Sequence, residues 1–225
     1  MEISYWQSRW RNDKTGWHMQ QVFPLLQQYW SKLGLSGDTA VLVPLCGSSL
    51  DIQWLAGQGH YVIGVDVSEI AIKTLKQNHD EPFQKSTKAG LDRYASNSME
   101  LWCGDFLKLQ KQWLPPVDAI YDKAAIIALP KEMRTRYAGS LQALMQPHTQ
   151  VLINCFEYKQ NEMPGPPFAV FENELQSLFG ENFHIKMLHV HSLFDELTNF
   201  HRRGLKSYLD EKLYHLSPKK AFNFS

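Results

Sequence analysis

The sequence predicts an α/β fold, an open and mainly parallel sheet with helices packed against it. Ala40–Leu45 is a short apolar run of the kind buried on both faces of a parallel sheet. The small-residue turn Gly47-Ser48-Ser49 leads from it into a helical pattern closed by Gly57 and Gly59. A second apolar run, Tyr61–Val65, ends in Asp66, about 20 residues beyond the turn glycine, the spacing at which an acid meets a ribose in nucleotide-binding βαβ units.

Those elements point to a ligand that contains adenosine. A turn without a side chain at Gly47 lets a ligand approach the backbone, and a carboxylate at a strand tip accepts from two ribose hydroxyls. The dinucleotide fingerprint G-x-G-x-x-G is absent, because Gly47 is followed by Ser48, Ser49 and Leu50. S-adenosylmethionine, with a ribose and no phosphate, fits such a turn better. Taken alone, the stretch is read equally well as an ordinary strand-to-helix turn with an acid ending the next strand.

Composition bounds the rest. A chain of 225 residues, 44% hydrophobic and 20% charged, is expected to form one domain, 1–225, with a helical lid over about residues 1–35. Lys plus Arg equals Asp plus Glu at 23 each, which leaves no basic field for nucleic acid. Cys46, Cys103 and Cys155 lack metal-ligand spacing and suit reduced thiols. No apolar run reaches membrane-spanning length. The expectation is a cytoplasmic monomer with a small-molecule partner, no nucleic acid, no membrane and no metal.

In chain order, Ile3–Arg11 places Trp6 and Trp10 on one helical face, and Phe23–Lys32 is a second helix with Pro24 in its first turn. Trp6 and Trp17 are expected to pack the leader, while Trp10 is to be read either as packing or as a wall for a sulfonium or adenine. Ser68 caps a helix reaching Asn78, and Asp80–Ser98 is an insertion with weak structure of its own. Met99–Cys103 is the third strand, followed by Gly104-Asp105-Phe106, to be read either as an unremarkable turn or as a site where Asp105 accepts from an exocyclic amine and Phe106 stacks on a ring. Val117–Tyr121 is the fourth strand. It delivers Asp122 and Lys123 to a strand end, to be read either as a surface pair or as site residues. Pro130 starts a helix and Thr149–Phe156 is the fifth strand. Then come a stiff loop at Tyr158–Phe168, a helix at Glu172–Phe179, and strands at Phe183–Ser192 and Lys206–Leu216. His189 and His191 share a strand face and are read as partly exposed strand residues.

Several of these motifs occur together and in order: Trp6-x-x-Arg9-Trp10, Gly16-Trp17-His18, Val43-Pro44-Leu45-Cys46-Gly47, Gly57-x-Gly59-His60, Leu101-Trp102-Cys103-Gly104-Asp105-Phe106, Tyr121-Asp122-Lys123-Ala124-Ala125, Gly165-Pro166-Pro167-Phe168 and Glu211-Lys212-Leu213-Tyr214. In this set the chain resembles the bacterial thiopurine S-methyltransferases. The resemblance implies a class I S-adenosylmethionine-dependent methyltransferase fold, a Rossmann-like sheet of seven strands with the last antiparallel. It also implies methyl transfer to sulfur, with selenium and tellurium compounds as further acceptors of the family. Carried over by motif, Trp10, Leu45, Asp66 and Lys123 fall at cofactor positions, with Asp105 and Phe106 beside the adenine. The sequence departs from the family at four positions: Asp66 for glutamate, Met19 and Phe23 for glutamine and asparagine, and Lys123 for arginine.

The implied chemistry is in-line attack of a soft nucleophile on a sulfonium methyl, which needs alignment and exclusion of water more than acid–base help. Asp122, Lys123 and Arg203 are the candidates for orienting the acceptor and favouring its thiolate. Two rivals are a non-catalytic S-adenosylmethionine-binding module and a nicotinamide-dependent oxidoreductase, the latter disfavoured by the missing glycines.

Overall fold

The computed structural model describes residues 2–219; residue 1 and residues 220–225 of the expected single domain lie outside them. Backbone contacts group the chain into two compact units, one ending at Tyr121 and the other beginning at Asp122.

The first unit opens with α1 (Ile3–Arg11) and α2 (Pro24–Tyr29), the latter continued by a 3-10 turn, Trp30–Leu33. The ligand-type βαβ unit follows as β1 (Ala40–Pro44), α3 (Leu50–Gly57) and β2 (Tyr61–Asp66). Next come α4 (Glu69–Gln77), β3 (Gln84–Lys88), β4 (Leu91–Ala95), β5 (Met99–Cys103) and β6 (Val117–Lys123), which runs two residues past the unit's end. Strand order here is β3-β4-β5-β2-β1-β6, with β1 parallel to β2 and β6, and β2 parallel to β5. All of β1 and nearly all of β2 is buried, which is why both read as unbroken apolar runs. Each fully buried Val, Leu or Ile of that layer contributes roughly 1.5–3 kcal/mol relative to exposure.

The weakly structured insertion expected at Asp80–Ser98 is instead the β3-β4 hairpin, antiparallel to β5 at the edge of the unit. Its turn is Ala89-Gly90, both at positive φ (49° and 81°), the geometry of a tight two-residue hairpin. Every residue of β3 is exposed, so no apolar alternation marks the strand. Polar cross-strand contacts hold it instead: Thr87 Oγ1 donates to Asp92 at 2.8 Å, Lys85 pairs with Asp92 at 2.7 Å, and the same Lys85 lies 5.5 Å from the centre of the Tyr94 ring.

The second unit contains α5 (Lys131–Leu144), β7 (Met145–Glu157), α6 (Glu172–Phe179), β8 (Phe183–Ser192), α7 (Thr198–Arg202) and β9 (Asp210–Pro218). Its strands are ordered β7-β9-β8 and are all antiparallel. A second core cluster of Tyr158, Met163, Ala169, Phe200, Leu205 and Leu209 lies under the long loops of this unit. The described residues hold nine strands where the resemblance implies seven, and the two additional ones are the β3-β4 hairpin. The final strand is antiparallel, as expected. No described helix is long and apolar enough to cross a membrane.

Candidate active site

In the first unit the ends of β1, β2 and β5 converge on Asp66. Beyond β1 the chain turns sharply through Leu45, a non-glycine residue held at φ 49°, and Gly47 at φ 55°. Leu45 is the kind of backbone strain that persists where surrounding structure fixes a turn. The turn is tied to β2 by the amide of Cys46 on the carbonyl of Val65 at 3.0 Å and by the amide of Gly47 on Asp66 Oδ2 at 2.8 Å. Asp66 Oδ1 receives the amide of Ser68, also at 2.8 Å. The carboxylate is almost wholly buried, and burial raises its pKa to about 6 while those amides pull it down. It is therefore ionised at neutral pH, and beside its backbone donors it keeps acceptor capacity for a hydroxyl. The amide of Gly104 bonds the carbonyl of Asp66 at 2.9 Å, which brings Asp105 to the same edge. Asp105 caps the next turn through Oδ1 on the amide of Leu107, 3.0 Å away. Phe106 is 3% exposed, so its ring packs into the core, and what remains for a ligand at this position is backbone.

The start of α3 bears on the choice of ligand. Ser49 Oγ accepts from the amide of Asp51 at 3.2 Å, capping the helix. Asp51 itself is buried in the first turn, where its carboxylate takes the amide of Phe23 and the hydroxyl of Tyr121, both at 2.8 Å. A helix N-terminus already holding a buried acid has no place for a pyrophosphate. The residues present thus fit a ribose-bearing ligand without phosphate.

The leader contributes Trp10. Its indole lies over Gly47, and it meets Trp17 and His18 edge-on with ring centres 6.1 and 6.4 Å away. Trp6 packs edge-on against Trp17 at 5.3 Å, as expected of the packing pair. Gln7 Nε2 reaches the carbonyl of Val67 at 3.2 Å, fixing α1 beside the residue after Asp66. A depression of about 520 Å³ lined by Tyr61, Arg93, Glu100 and Trp113 lies at the opposite ends of β2 and β5, with its carboxylate already paired to Arg93. The chemistry-bearing turns are elsewhere.

In the second unit Asp122 is fully buried, which removes the surface-pair reading. Its Oδ1 takes the amides of Ala125 and Ile126 at 3.0 and 3.1 Å, and its Oδ2 takes the hydroxyl of Tyr137 at 2.7 Å. Burial raises its pKa to about 6 against these three donors. Asp122 thus braces the turn that carries Lys123 and Ala124, the latter at φ 66°. Arg203 departs from the expected role as well: its Nη2 donates to the carbonyls of Pro164 and Pro166 at 2.7 Å each, so the side chain fastens the proline loop. Sequence reasoning missed Tyr137, the partner of Asp122. In the sequence Tyr137 looks like one more helix-face aromatic.

Over residues 1–219 the chain matches the family described as thiopurine S-methyltransferase (TPMT). The chain belongs to the thiopurine S-methyltransferase family. It is 39% identical over 221 residues to the thiopurine S-methyltransferase of Pseudomonas fluorescens (strain Pf-5), covering 98% of this chain and 99% of that one. It is 40% identical over 216 residues to the enzyme of the same name from Azotobacter vinelandii, covering 96% and 99%. Among solved structures it is similar to a Burkholderia thailandensis 1,6-didemethyltoxoflavin-N1-methyltransferase holding S-adenosylhomocysteine, with a TM-score of 0.65 and 16% identity over 97% of this chain and 87% of that one. At that identity the likeness is one of fold, that of the S-adenosylmethionine-dependent methyltransferases. Membership of the thiopurine S-methyltransferase family makes the protein an S-adenosylmethionine-dependent S-methyltransferase.

Proposed function

We propose that the protein methylates the sulfur of small acidic thiols of the thiopurine kind, and related chalcogen anions, acting as one cytoplasmic monomeric domain. The observation that carries the reading is the Trp10–Gly47–Asp66 arrangement beside a helix N-terminus closed by Ser49 and Asp51. Asp66 holds the ribose hydroxyls, the Leu45–Gly47 turn takes the amino-acid end, Asp105 accepts from the adenine amine, and Trp10 covers the sulfonium with an aromatic face. When bound, S-adenosylmethionine supplies an activated methyl group.

The chain's own work is then placement. Lys123 offers a point charge that favours the thiolate form of an acceptor, and a thiopurine-like thiol is acidic enough to arrive as the anion. Asp122 positions Lys123 by holding the turn, and Arg203 positions the Gly165–Phe168 loop. Calorimetric titration with S-adenosylhomocysteine, NAD and NADP tests the cofactor assignment. Binding of the first alone is expected, and preferential binding of a nicotinamide cofactor would overturn it.

A further inference from the structure

The hairpin at the edge of the first unit builds a second polar site, one that methyl transfer leaves unused. Arg93 on β4 stands opposite Trp102 on β5, and Glu100 lies two residues from Trp102, so the three side chains share one face of the sheet. Glu100 is 1% exposed. Its Oε1 takes the indole N–H of Trp102, and its Oε2 takes the Tyr61 hydroxyl and Arg93 Nη2. Three donors thus fix a buried acid, and the acid in turn holds the guanidinium in one orientation. Arg93 is 34% exposed at the wall of the depression of about 520 Å³, and among the described residues its Nε and Nη1 carry no hydrogen bond. Trp113 lines the same depression, its ring stacked on Trp102 with centres 6.0 Å apart. Lys88 Nζ, from the end of β3, lies 5.3 Å from the centre of the Trp113 ring and makes no ion pair among the described residues.

We propose that this depression binds a nucleoside monophosphate, at a site separate from that of methyl transfer. The unused N–H groups of Arg93 are charge-assisted donors on a guanidinium already held in place, which lowers the ordering cost of taking up a phosphate. Glu100 is spent on Arg93, so with Lys88 the charge left at the depression is positive. The indole of Trp113 between these two cations suits a ligand that carries a flat base beside its anion, and about 520 Å³ lies within the range of small-molecule sites. Tyr61 and Asp66 are the two ends of β2, about 17 Å apart along an extended strand, so a ligand at the depression leaves the cofactor turns open. The site does not depend on which sulfur compound is methylated.

The test is calorimetric titration of the full-length protein with guanosine 5′-monophosphate, in the presence of saturating S-adenosylhomocysteine so that the cofactor site is filled. Binding is expected, with guanosine and inorganic phosphate each weaker by about tenfold or more, since each lacks one half of what the site recognises. Arg93→Lys keeps a cation for Glu100 while giving up the fork, and Lys88→Gln removes the second charge. Each should lower the nucleotide affinity about tenfold, the worth of one charged hydrogen bond. Affinity for S-adenosylhomocysteine, measured separately, checks that the variants fold. Lys88 lies on the fully exposed β3, so Lys88→Gln decides alone if Arg93→Lys does not fold. No nucleotide binding at millimolar concentration, or undiminished affinity in either folded variant, overturns the site. Inorganic phosphate binding as tightly as the nucleotide would mean an adventitious anion only, and competition with S-adenosylhomocysteine would put the nucleotide at the cofactor turns; either result contradicts the proposal.

Discussion

The indole of Trp10 closes over Gly47: a side-chain carbon on that glycine would stand 3.2 Å from Trp10 Cζ2. Gly47 also sits at φ 55°, where a Cβ costs roughly 1–2 kcal/mol. Gly47→Ala is therefore expected to lower stability by about that amount and to weaken S-adenosylhomocysteine binding in addition, because the turn must shift or the indole must lift. Urea unfolding and calorimetry on the same variant separate the two effects. Unaltered cofactor affinity would take this contact out of the site.

The same contact makes Trp10 a reporter. Indole emission should change on cofactor titration, and Trp10→Phe should remove most of that change. A variant that retains the whole response would assign it to another tryptophan.

Asp66 gives the pH dependence. Its pKa is raised to about 6, and the form that accepts from ribose hydroxyls is the anion. Affinity for S-adenosylhomocysteine should thus be level above neutrality and decline as pH falls through about 6. Asp66→Asn should flatten that decline and lose about 1–3 kcal/mol of binding at neutral pH. A wild-type affinity flat from pH 8 to pH 5 would contradict the assignment.

What the sequence made legible followed from burial. β1 and β2 are buried strands, so their apolar runs, the turn glycine and the terminal acid could all be found, and Phe183–Ser192 and Glu172–Phe179 fall where they were expected. The β3-β4 hairpin escaped because its fully exposed strand is held by polar pairs, and because an alanine takes the first positive-φ position of its turn. Asp122 was recognised as a site-edge residue but not as a buried cap, since the tyrosine that completes it lies 15 positions further on, in α5. Arg203 was read by charge, whereas its partners are carbonyls of the proline loop, which no residue pattern announces.

Asp122 leads to a stability prediction. Asp122→Ala leaves two buried amides and the Tyr137 hydroxyl without their acceptor, at about 1–3 kcal/mol for a buried group left unpaired. A loss of a few kcal/mol in urea unfolding is expected, together with reduced turnover from the displaced Lys123. A variant as stable as the wild type would show that the three bonds do not hold the turn.

By the motif resemblance, Lys123 takes the place of an arginine. An ammonium favours a thiolate by charge but lacks the planar fork that stacks on a heterocycle. Lys123→Arg is expected to raise the ratio of thiopurine to small-thiol kcat/KM, and Lys123→Met to depress turnover of every acidic acceptor. An unchanged ratio across both variants would remove Lys123 from acceptor recognition.

The most direct measurement is product analysis by mass spectrometry after incubation of the purified protein with methyl-labelled S-adenosylmethionine and a panel of thiopurines, aryl thiols and alkyl thiols. The label should appear on acceptor sulfur, with stoichiometric S-adenosylhomocysteine and loss of product in Asp66→Ala. Tight cofactor binding with no labelled product from any sulfur acceptor would contradict the account.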